Sequence, residues 1–186
     1  MKLSYFLILV TVISALFQLP YLQNLVVWHH ELIQNGQWWR ILSGNFTHTN
    51  TIHFSMNIAA MWVIAYLFKP SAKSLLGALL FLSTSVGLGL LFTTLHSYAG
   101  LSGVLHGLFA FYALSEALYG RKSSWLLVIG LIIKIAYEQL YGASISTAKL
   151  ISAEVAIEAH LIGGVTGLSL AVMLYVLLRF NTHSTT

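Results

Sequence analysis

The sequence predicts an all-α membrane protein with six transmembrane helices and both termini in the cytoplasm. Of its 186 residues, 58% are hydrophobic and only 8% are charged, whereas soluble domains carry about a quarter charged residues. The apolar residues form six runs that are long enough to cross a ~30 Å hydrocarbon core as helices. No run shows the sustained period-two alternation of a membrane strand.

The six runs lie at about 4–22, 51–68, 73–95, 101–119, 124–141 and 155–179. The second and the fifth are short and contain polar residues. The first follows Lys2, as a signal peptide would, but no small-residue cleavage site comes after it. We therefore expect 1–180 to form a single membrane domain and 181–186 to form a short disordered tail.

Basic residues predict the orientation of the helices, because Lys and Arg are enriched in cytoplasmic loops. With the N-terminus inside, Arg40 and Lys149 fall outside and Lys134 lies within a span. Six basic residues fall inside, namely Lys2, Lys69, Lys73, Arg121, Lys122 and Arg179. The nine basic residues are scattered between apolar runs, so the net charge of +4 predicts no nucleic-acid partner.

The longest connection, at about 23–50, falls on the outer side and is long enough to be functional. It contains Trp28, Trp38 and Trp39. Tryptophan favours the boundary between membrane and water, so we expect this connection to lie partly in the interface.

Four polar side chains fall at a similar depth in the outer half of the membrane when the spans alternate in direction. They are His53 and Asn57 on the second span, Ser102 at the start of the fourth and His160 on the sixth. Polar groups inside membrane helices are costly, so they are functional candidates. The absence of cysteine excludes a cysteine nucleophile, disulfides and thiolate metal sites.

These four residues are of the types that acyl transfer requires. A serine hydroxyl becomes a nucleophile when a nearby neutral histidine removes its proton, and Ser102 and His160 offer that pair without a third acid. Asn57 and His53 lie one helix turn apart and offer N–H donors for an oxyanion. The unpaired N–H groups at the start of the fourth span favour the same charge.

Two pairs of glycines at a spacing of four predict that the fourth and sixth spans pack closely: Gly103 with Gly107, and Gly163 with Gly167. Each feature alone also has a simpler explanation, since small residues are common in membrane helices and a single histidine is more often a packing residue. On residue types and spacing alone, hydrolysis and a purely structural role are about equally supported.

At these residues the sequence resembles the rhomboid family of intramembrane serine proteases. The resemblance follows an ordered set of motifs: Trp39-Arg40, His48, His53, Asn57, Gly100-Leu101-Ser102-Gly103 and Ala159-His160-Leu161-Ile162-Gly163-Gly164-Val165-Thr166-Gly167. It implies a six-helix rhomboid bundle with a cavity that opens outward and membrane-anchored proteins as substrates. It assigns the nucleophile to Ser102, the base to His160, the oxyanion hole to His53, Asn57 and the Ser102 backbone N–H, and support of the outer loop to Arg40 and His48.

The sequence departs from the family pattern at His106, where many rhomboids carry a tyrosine that stacks on the catalytic histidine. The string Ser102-Gly103-Val104-Leu105-His106-Gly107 resembles the rhombosortase branch. That resemblance implies a bacterial inner-membrane enzyme that processes proteins with a C-terminal Gly-Gly motif, transmembrane helix and basic tail. His106 is expected to stack on His160 or to hydrogen-bond with it.

Lys134 and Glu138 place two charges four residues apart within the fifth span. An isolated charge at mid-bilayer costs at least ~2.5–3.5 kcal/mol, so pairing within the helix is expected. The alternative is a contact with the substrate near its Gly-Gly segment. Glu158 is not expected to be a third member of the Ser102–His160 dyad, because a separation of two residues places it on another helix face.

Two other classes of function compete with the protease. A proton-coupled transporter or channel would use the intramembrane histidines and the charged pair, and a haem or metal carrier would use histidines on facing helices. An ordinary rhomboid protease with generic single-span substrates is the alternative within the family. We expect no metal and no cofactor, and the sequence does not distinguish hydrolysis from transfer of the acyl group to an amine.

Overall fold

The protein, described by a computed structural model over residues 2–183, is a bundle of helices with one two-stranded ribbon. The helices in that range are Leu3–Leu16 (α1), Pro20–Val26 (α2), His30–Gln34 (α3), Trp39–Ser43 (α4), Thr51–Phe68 (α5), Ala72–Gly89 (α6), Ser102–Leu118 (α7), Ser124–Tyr141 (α8), Ile145–Ile151 (α9) and Ile157–His183 (α10). Short 3₁₀ turns lie at Gly44–Phe46 and Leu90–Phe92, and the strands are Trp28–His29 (β1) and Ser97–Tyr98 (β2).

Five of the predicted runs each contain one long helix, but α6 ends at Gly89 and its 3₁₀ turn at Phe92, short of the expected residue 95, and the first run is broken. Helix α1 ends at Leu16, and the chain resumes as α2 at an angle of 102°. Pro20 occupies the first turn of α2. Proline lacks a backbone N–H and disfavours a helical residue before it. The prediction of one continuous helix over 4–22 is therefore wrong.

Among residues 2–183, four helices are long and apolar enough to cross a membrane: α5, α6 with its 3₁₀ turn, α8 and α10. The bent pair α1 and α2 makes a fifth if it is taken as one span. The count of six spans and the cytoplasmic termini stay predictions. The backbone of 181–183 continues α10, and the rest of the predicted tail, 184–186, lies outside the described residues.

Helix α7 lies at the centre of the bundle, in contact with α5, α6, α8 and α10. It is 17 residues long, and most of its residues are buried, including Val104, Leu108 and Ala113. A helix that is apolar on all sides can only be stable when it is surrounded by other apolar surfaces. The fourth predicted span is thus the core around which the others pack.

The segment that precedes α5 folds over the end of the bundle at which α5, α7 and α10 begin. Trp28 pairs with Tyr98 in the antiparallel β1–β2 ribbon, and its indole Nε1 donates to the carbonyl of Gly87 at 2.9 Å. Trp28 is fully buried, which differs from the predicted place at the membrane interface, whereas Trp38 and Trp39 are exposed. This ribbon ties the outer segment to the loop that leads into α7.

Candidate active site

Ser102 is the first residue of α7 and follows a tight turn. Gly100 has φ +136°, a conformation that side-chain-bearing residues rarely adopt, and a Cβ there would lie 2.7 Å from the ring of His53. The Tyr98 hydroxyl donates to the carbonyl of Gly100. Burial raises the pKa of Tyr98, so its hydroxyl remains a donor. The turn thus fixes Ser102 at the N-terminus of α7.

The structure places the side chains of Ser102 and His160 within hydrogen-bonding distance. The Nε2 atom of His160 lies 3.0 Å from the Oγ atom of Ser102, and the histidine is only 4% exposed. A neutral imidazole with a bare Nε2 at this distance can accept the hydroxyl proton. This pair is the one that the sequence predicted as nucleophile and base.

Glycines allow the two helices that carry this pair to touch through their backbones. A Cβ on Gly163 would overlap the carbonyl oxygen of Gly103, and a Cβ on Gly167 would overlap that of Gly107. A Cβ on Gly103 would lie 2.8 Å from the carbonyl oxygen of Ala159, the neighbour of the histidine. Close approach at these positions therefore requires glycine on both helices.

Asn57 and His53 face the same cavity as Ser102 from α5. The amide Nδ2 of Asn57 is buried and has no hydrogen-bond partner among the described residues. A buried donor without a partner costs free energy, and such a donor is what a developing oxyanion needs. The predicted oxyanion hole therefore contains a donor without a partner among the described residues, in the cavity that Ser102 also lines.

The ring of His53 is oriented by Thr49. The hydroxyl of Thr49 donates to the carbonyl of Ile151 at 2.6 Å and lies 3.0 Å from the Nδ1 atom of His53. Because the hydroxyl has one proton and the carbonyl receives it, Nδ1 of His53 must donate. The neutral ring then presents a bare Nε2 to the cavity, so its predicted donor role requires a second proton or a change of tautomer.

His106 stacks on His160, with 4.0 Å between the ring centroids and 18° between the ring planes. Its Nδ1 atom donates to the backbone carbonyl of Ser102 at 2.7 Å. The sequence left stacking and hydrogen bonding to His160 open, and the structure shows the stack. The hydrogen bond of His106 is made with the backbone carbonyl of Ser102, one turn earlier in α7, and not with His160.

Glu138 contacts His160 directly, which sequence reasoning did not anticipate. Its Oε2 atom lies 2.9 Å from Nδ1 of His160, and its Oε1 atom accepts from Nζ of Lys134 at 2.8 Å. The expected pairing within α8 is present, but the carboxylate also reaches the sixth predicted span. A signal existed, since an ionisable residue within a span is a functional candidate whose partner should be sought.

Arg40 and His48 lie outside the cavity, as supports of the outer segment. The guanidinium of Arg40 donates to the carbonyls of Val27 and Asn24 at 2.7 and 2.9 Å. His48 is fully buried, with its ring edge-on to that of His53 at 5.0 Å. Burial, and then the nearby His53, lower the pKa of His48 to about 3.

The site opens into a cavity of about 1020 Å³ that is lined by both polar and apolar side chains. An apolar groove of about 460 Å³ between α5, α7 and α8 lies beside it. His106 and Lys134 line both spaces. The groove therefore ends where the polar cavity begins.

Three side chains of the site could approach a metal ion, since the donor atoms of His106, Glu138 and His160 lie within 4.8 Å of one another. The geometry does not favour a shared ion. Parallel rings 4.0 Å apart cannot both aim an in-plane lone pair at one point, and the ammonium of Lys134 already neutralises Glu138. These donors are better matched to proton transfer than to coordination.

Comparison with known proteins identifies the family. A family model described as Rhomboid domain matches residues 35–177, well over half of the chain, and this range includes the whole candidate site. The chain belongs to the rhomboid family. This rhomboid is also similar to "Putative rhomboid protease YdcA" from Bacillus subtilis (strain 168), with 27% identity over 123 residues.

The match to that relative covers 59% of this chain and 59% of the relative, so the rhomboid described here spans about three fifths of its length. Family membership and the long apolar helices together make the chain an integral multi-pass membrane protein.

Proposed function

We propose that this rhomboid is an intramembrane serine endopeptidase that cleaves membrane-anchored proteins. The observation that carries the proposal is the 3.0 Å contact between Oγ of Ser102 and Nε2 of His160, at the mouth of a polar cavity inside an apolar bundle. A hydroxyl and an imidazole in this arrangement form an activated nucleophile.

The reaction proceeds through an acyl-enzyme. Oγ of Ser102 attacks the peptide carbonyl carbon while its proton passes to Nε2 of His160, and the carbonyl electrons move onto oxygen. The C–N bond then breaks, and the leaving amine takes the proton from Nε2. Water attacks the ester, gives a proton to Nε2, and the C–Oγ bond breaks as that proton returns to Ser102.

The negative charge on the carbonyl oxygen is held by donors that face the cavity. The Asn57 amide nitrogen is buried and has no hydrogen-bond partner within residues 2–183. The backbone N–H of Ser102 lies at the start of α7, where helix N–H groups lack intrahelical partners. His53 contributes when its Nε2 carries a proton. His106 keeps the imidazole of His160 in place through the stack.

The substrates proposed are proteins with a C-terminal transmembrane helix, and the preferred class carries a Gly-Gly motif and a basic tail, as in the rhombosortase branch. The apolar groove between α5 and α8 offers a surface for such a helix, and it leads to His106 and Lys134 at the cavity. Lys134 is half exposed and has ammonium protons available for carbonyls of an unwound Gly-Gly segment. The proposed location is the bacterial inner membrane, with the cavity open to the outer side.

The test is cleavage of a co-expressed protein that ends in a Gly-Gly motif, a helix and a basic tail. Wild type should cut it, and Ser102→Ala should leave it intact while remaining inserted and folded. Labelling by a serine-directed fluorophosphonate should be lost in both Ser102→Ala and His160→Ala. Normal cleavage with Ser102→Ala would refute the proposal, because the cleavage would then not depend on this serine.

Two further measurements refine the substrate and the reaction. An intact Gly-Gly tail alongside cleavage of generic single-span substrates would identify an ordinary rhomboid protease. Mass spectrometry of the new C-terminus separates hydrolysis, which leaves a free carboxylate, from transfer to an amine, which leaves an amide.

A further inference from the structure

We infer that Glu138 is a positioning residue of this site, so that Ser102, His160 and Glu138 act as a triad in which Lys134 holds the acid. The inference rests on the proposed function and deepens it, since neither sequence spacing nor the family resemblance assigned an acid to the pair. It follows from the hydrogen-bond partners of the polar atoms in these four side chains.

The hydrogen-bond donors and acceptors fix the tautomer of His160. An ionised carboxylate only accepts hydrogen bonds, so the 2.9 Å contact with Oε2 of Glu138 requires the proton of the neutral ring to be on Nδ1. Nε2 is then a bare lone pair, 3.0 Å from Oγ of Ser102. Within the described part of the chain, Glu138 is the group that holds the proton on Nδ1. Without it the ring is free to adopt the other tautomer, in which Nε2 carries the proton and does not accept one.

The carboxylate of Glu138 is turned toward the bundle interior. An ion pair with Lys134 alone would not require this orientation. The side chain of Glu138 is 13% exposed, whereas that of Lys134 is 49% exposed. An i, i+4 pair on a lipid-facing side would satisfy both charges along α8. Instead each carboxylate oxygen has its own partner, one on α8 and one on α10.

Other charged or titratable groups near His160 do not take this role. His106 on α7 and His53 on α5 are themselves bases. Glu154 and Glu158 line the same cavity, but neither forms a hydrogen bond with the ring among the described residues. Glu138 is thus the anion that contacts the imidazole, and it balances the positive charge that appears when Nε2 takes the serine proton.

The decisive variant is Glu138→Gln, which keeps the shape of the side chain and removes the charge. An amide in place of the acid lowers kcat by ~10⁴-fold in the standard serine-protease triad. We expect a loss of at least about 100-fold here. Glu138→Asp, which keeps the charge on a shorter arm, should recover part of the activity, and Glu31→Gln, an exposed acid of the outer segment, should match wild type.

The pH profile of kcat/KM distinguishes positioning from packing. The acid limb should move to lower pH in Glu138→Gln, because the imidazolium loses its counter-charge. It should move to higher pH in Lys134→Met, because the carboxylate then acts on the ring alone. A merely structural role would lower activity without opposite displacements of this limb.

A measurement on wild type covers the case in which Glu138→Gln does not fold. Ring ¹⁵N shifts of histidine-labelled protein, with His160 assigned by loss of its signal in His160→Ala, should show the Nδ1–H tautomer near neutral pH. The Nε2–H tautomer would overturn the inference, as would wild-type rates and an unmoved acid limb in a folded Glu138→Gln. Absence of fluorophosphonate labelling in wild type would instead refute the protease itself, which keeps the two failures distinct.

Discussion

The ring of His106 lies parallel to that of His160, with their centroids 4.0 Å apart. His106 is one helix turn from Ser102 on the same helix, so the base is packed between α7 and Glu138 on α8. Stacking fixes the plane of the His160 ring, and the carboxylate fixes its rotation within that plane. The imidazole of His160 is thus held in two independent ways.

His106→Tyr should retain activity close to wild type, whereas His106→Ala should lose it in part. An aromatic stack is worth about 0.5–1.5 kcal/mol, which corresponds to roughly a 2- to 13-fold change in rate. Steady-state cleavage of a single-span substrate provides the measurement. If the tyrosine variant were as impaired as the alanine variant, the ring nitrogens of His106 would have a chemical role that stacking does not explain.

Gly163→Ala should destabilise the protein and separate Ser102 from His160. The added methyl would overlap the backbone carbonyl of Gly103, and overpacking typically costs about 1–3 kcal/mol. Thermal unfolding in detergent should show a lower midpoint, with cleavage reduced in parallel. Gly77→Ala is the matched control, since a Cβ there would meet no atom of residues 2–183 within 4 Å. Equal behaviour of the two variants would contradict close α7–α10 packing.

Asn57→Ala should lower kcat by about 10²–10³-fold, the usual effect of removing one oxyanion donor. KM should change little, because the donor acts on charge that develops after binding. Asn35→Ala, at an exposed position in the outer segment, should leave both constants as in wild type. A change confined to KM would place Asn57 in substrate binding rather than in the oxyanion hole.

Stability should fall as the pH is lowered from about 6.5 toward 4, through His48. Its pKa is about 3 in the folded protein, far below the ordinary histidine value. Because the unfolded state binds a proton first, the contribution is complete above pH 6.5 and is lost as the pH falls toward the folded-state pKa. Thermal unfolding across this range should show the slope, and His48→Phe should flatten it. An unchanged slope would exclude His48 as its source.

Much of the fold was predictable because apolar length and glycine spacing are local properties of the sequence. The structure contains the α7–α10 contact that Gly103, Gly107, Gly163 and Gly167 predicted. The break after α1 was harder to predict, because apolar residues continue on both sides of Pro20. The predicted position of Trp28 was wrong, because tryptophan is common both at membrane surfaces and in protein cores. Its contact with α6, which buries it, is not visible in the sequence.

The proximity of Ser102 and His160 was predictable, because the order of the spans places both side chains at a similar depth in the membrane. Glu138 was not, because its role depends on the rotation of α8 about its own axis. The spacing to Lys134 is the same whether the pair faces lipid or the interior. The tautomer of His53 also could not be predicted from the sequence, because it depends on a hydrogen bond from Thr49 to the carbonyl of Ile151, 102 residues away.

That bond couples the segment between α8 and α10 to the tautomer of His53. While Ile151 receives the proton of Thr49, the neutral ring of His53 keeps its own proton on the side away from the cavity. Withdrawal of the Ile151 carbonyl would free the hydroxyl to donate to Nδ1, and the ring could then carry its proton on the side facing the serine. The position of the Ile151 carbonyl thus decides which nitrogen of the neutral His53 ring carries the proton.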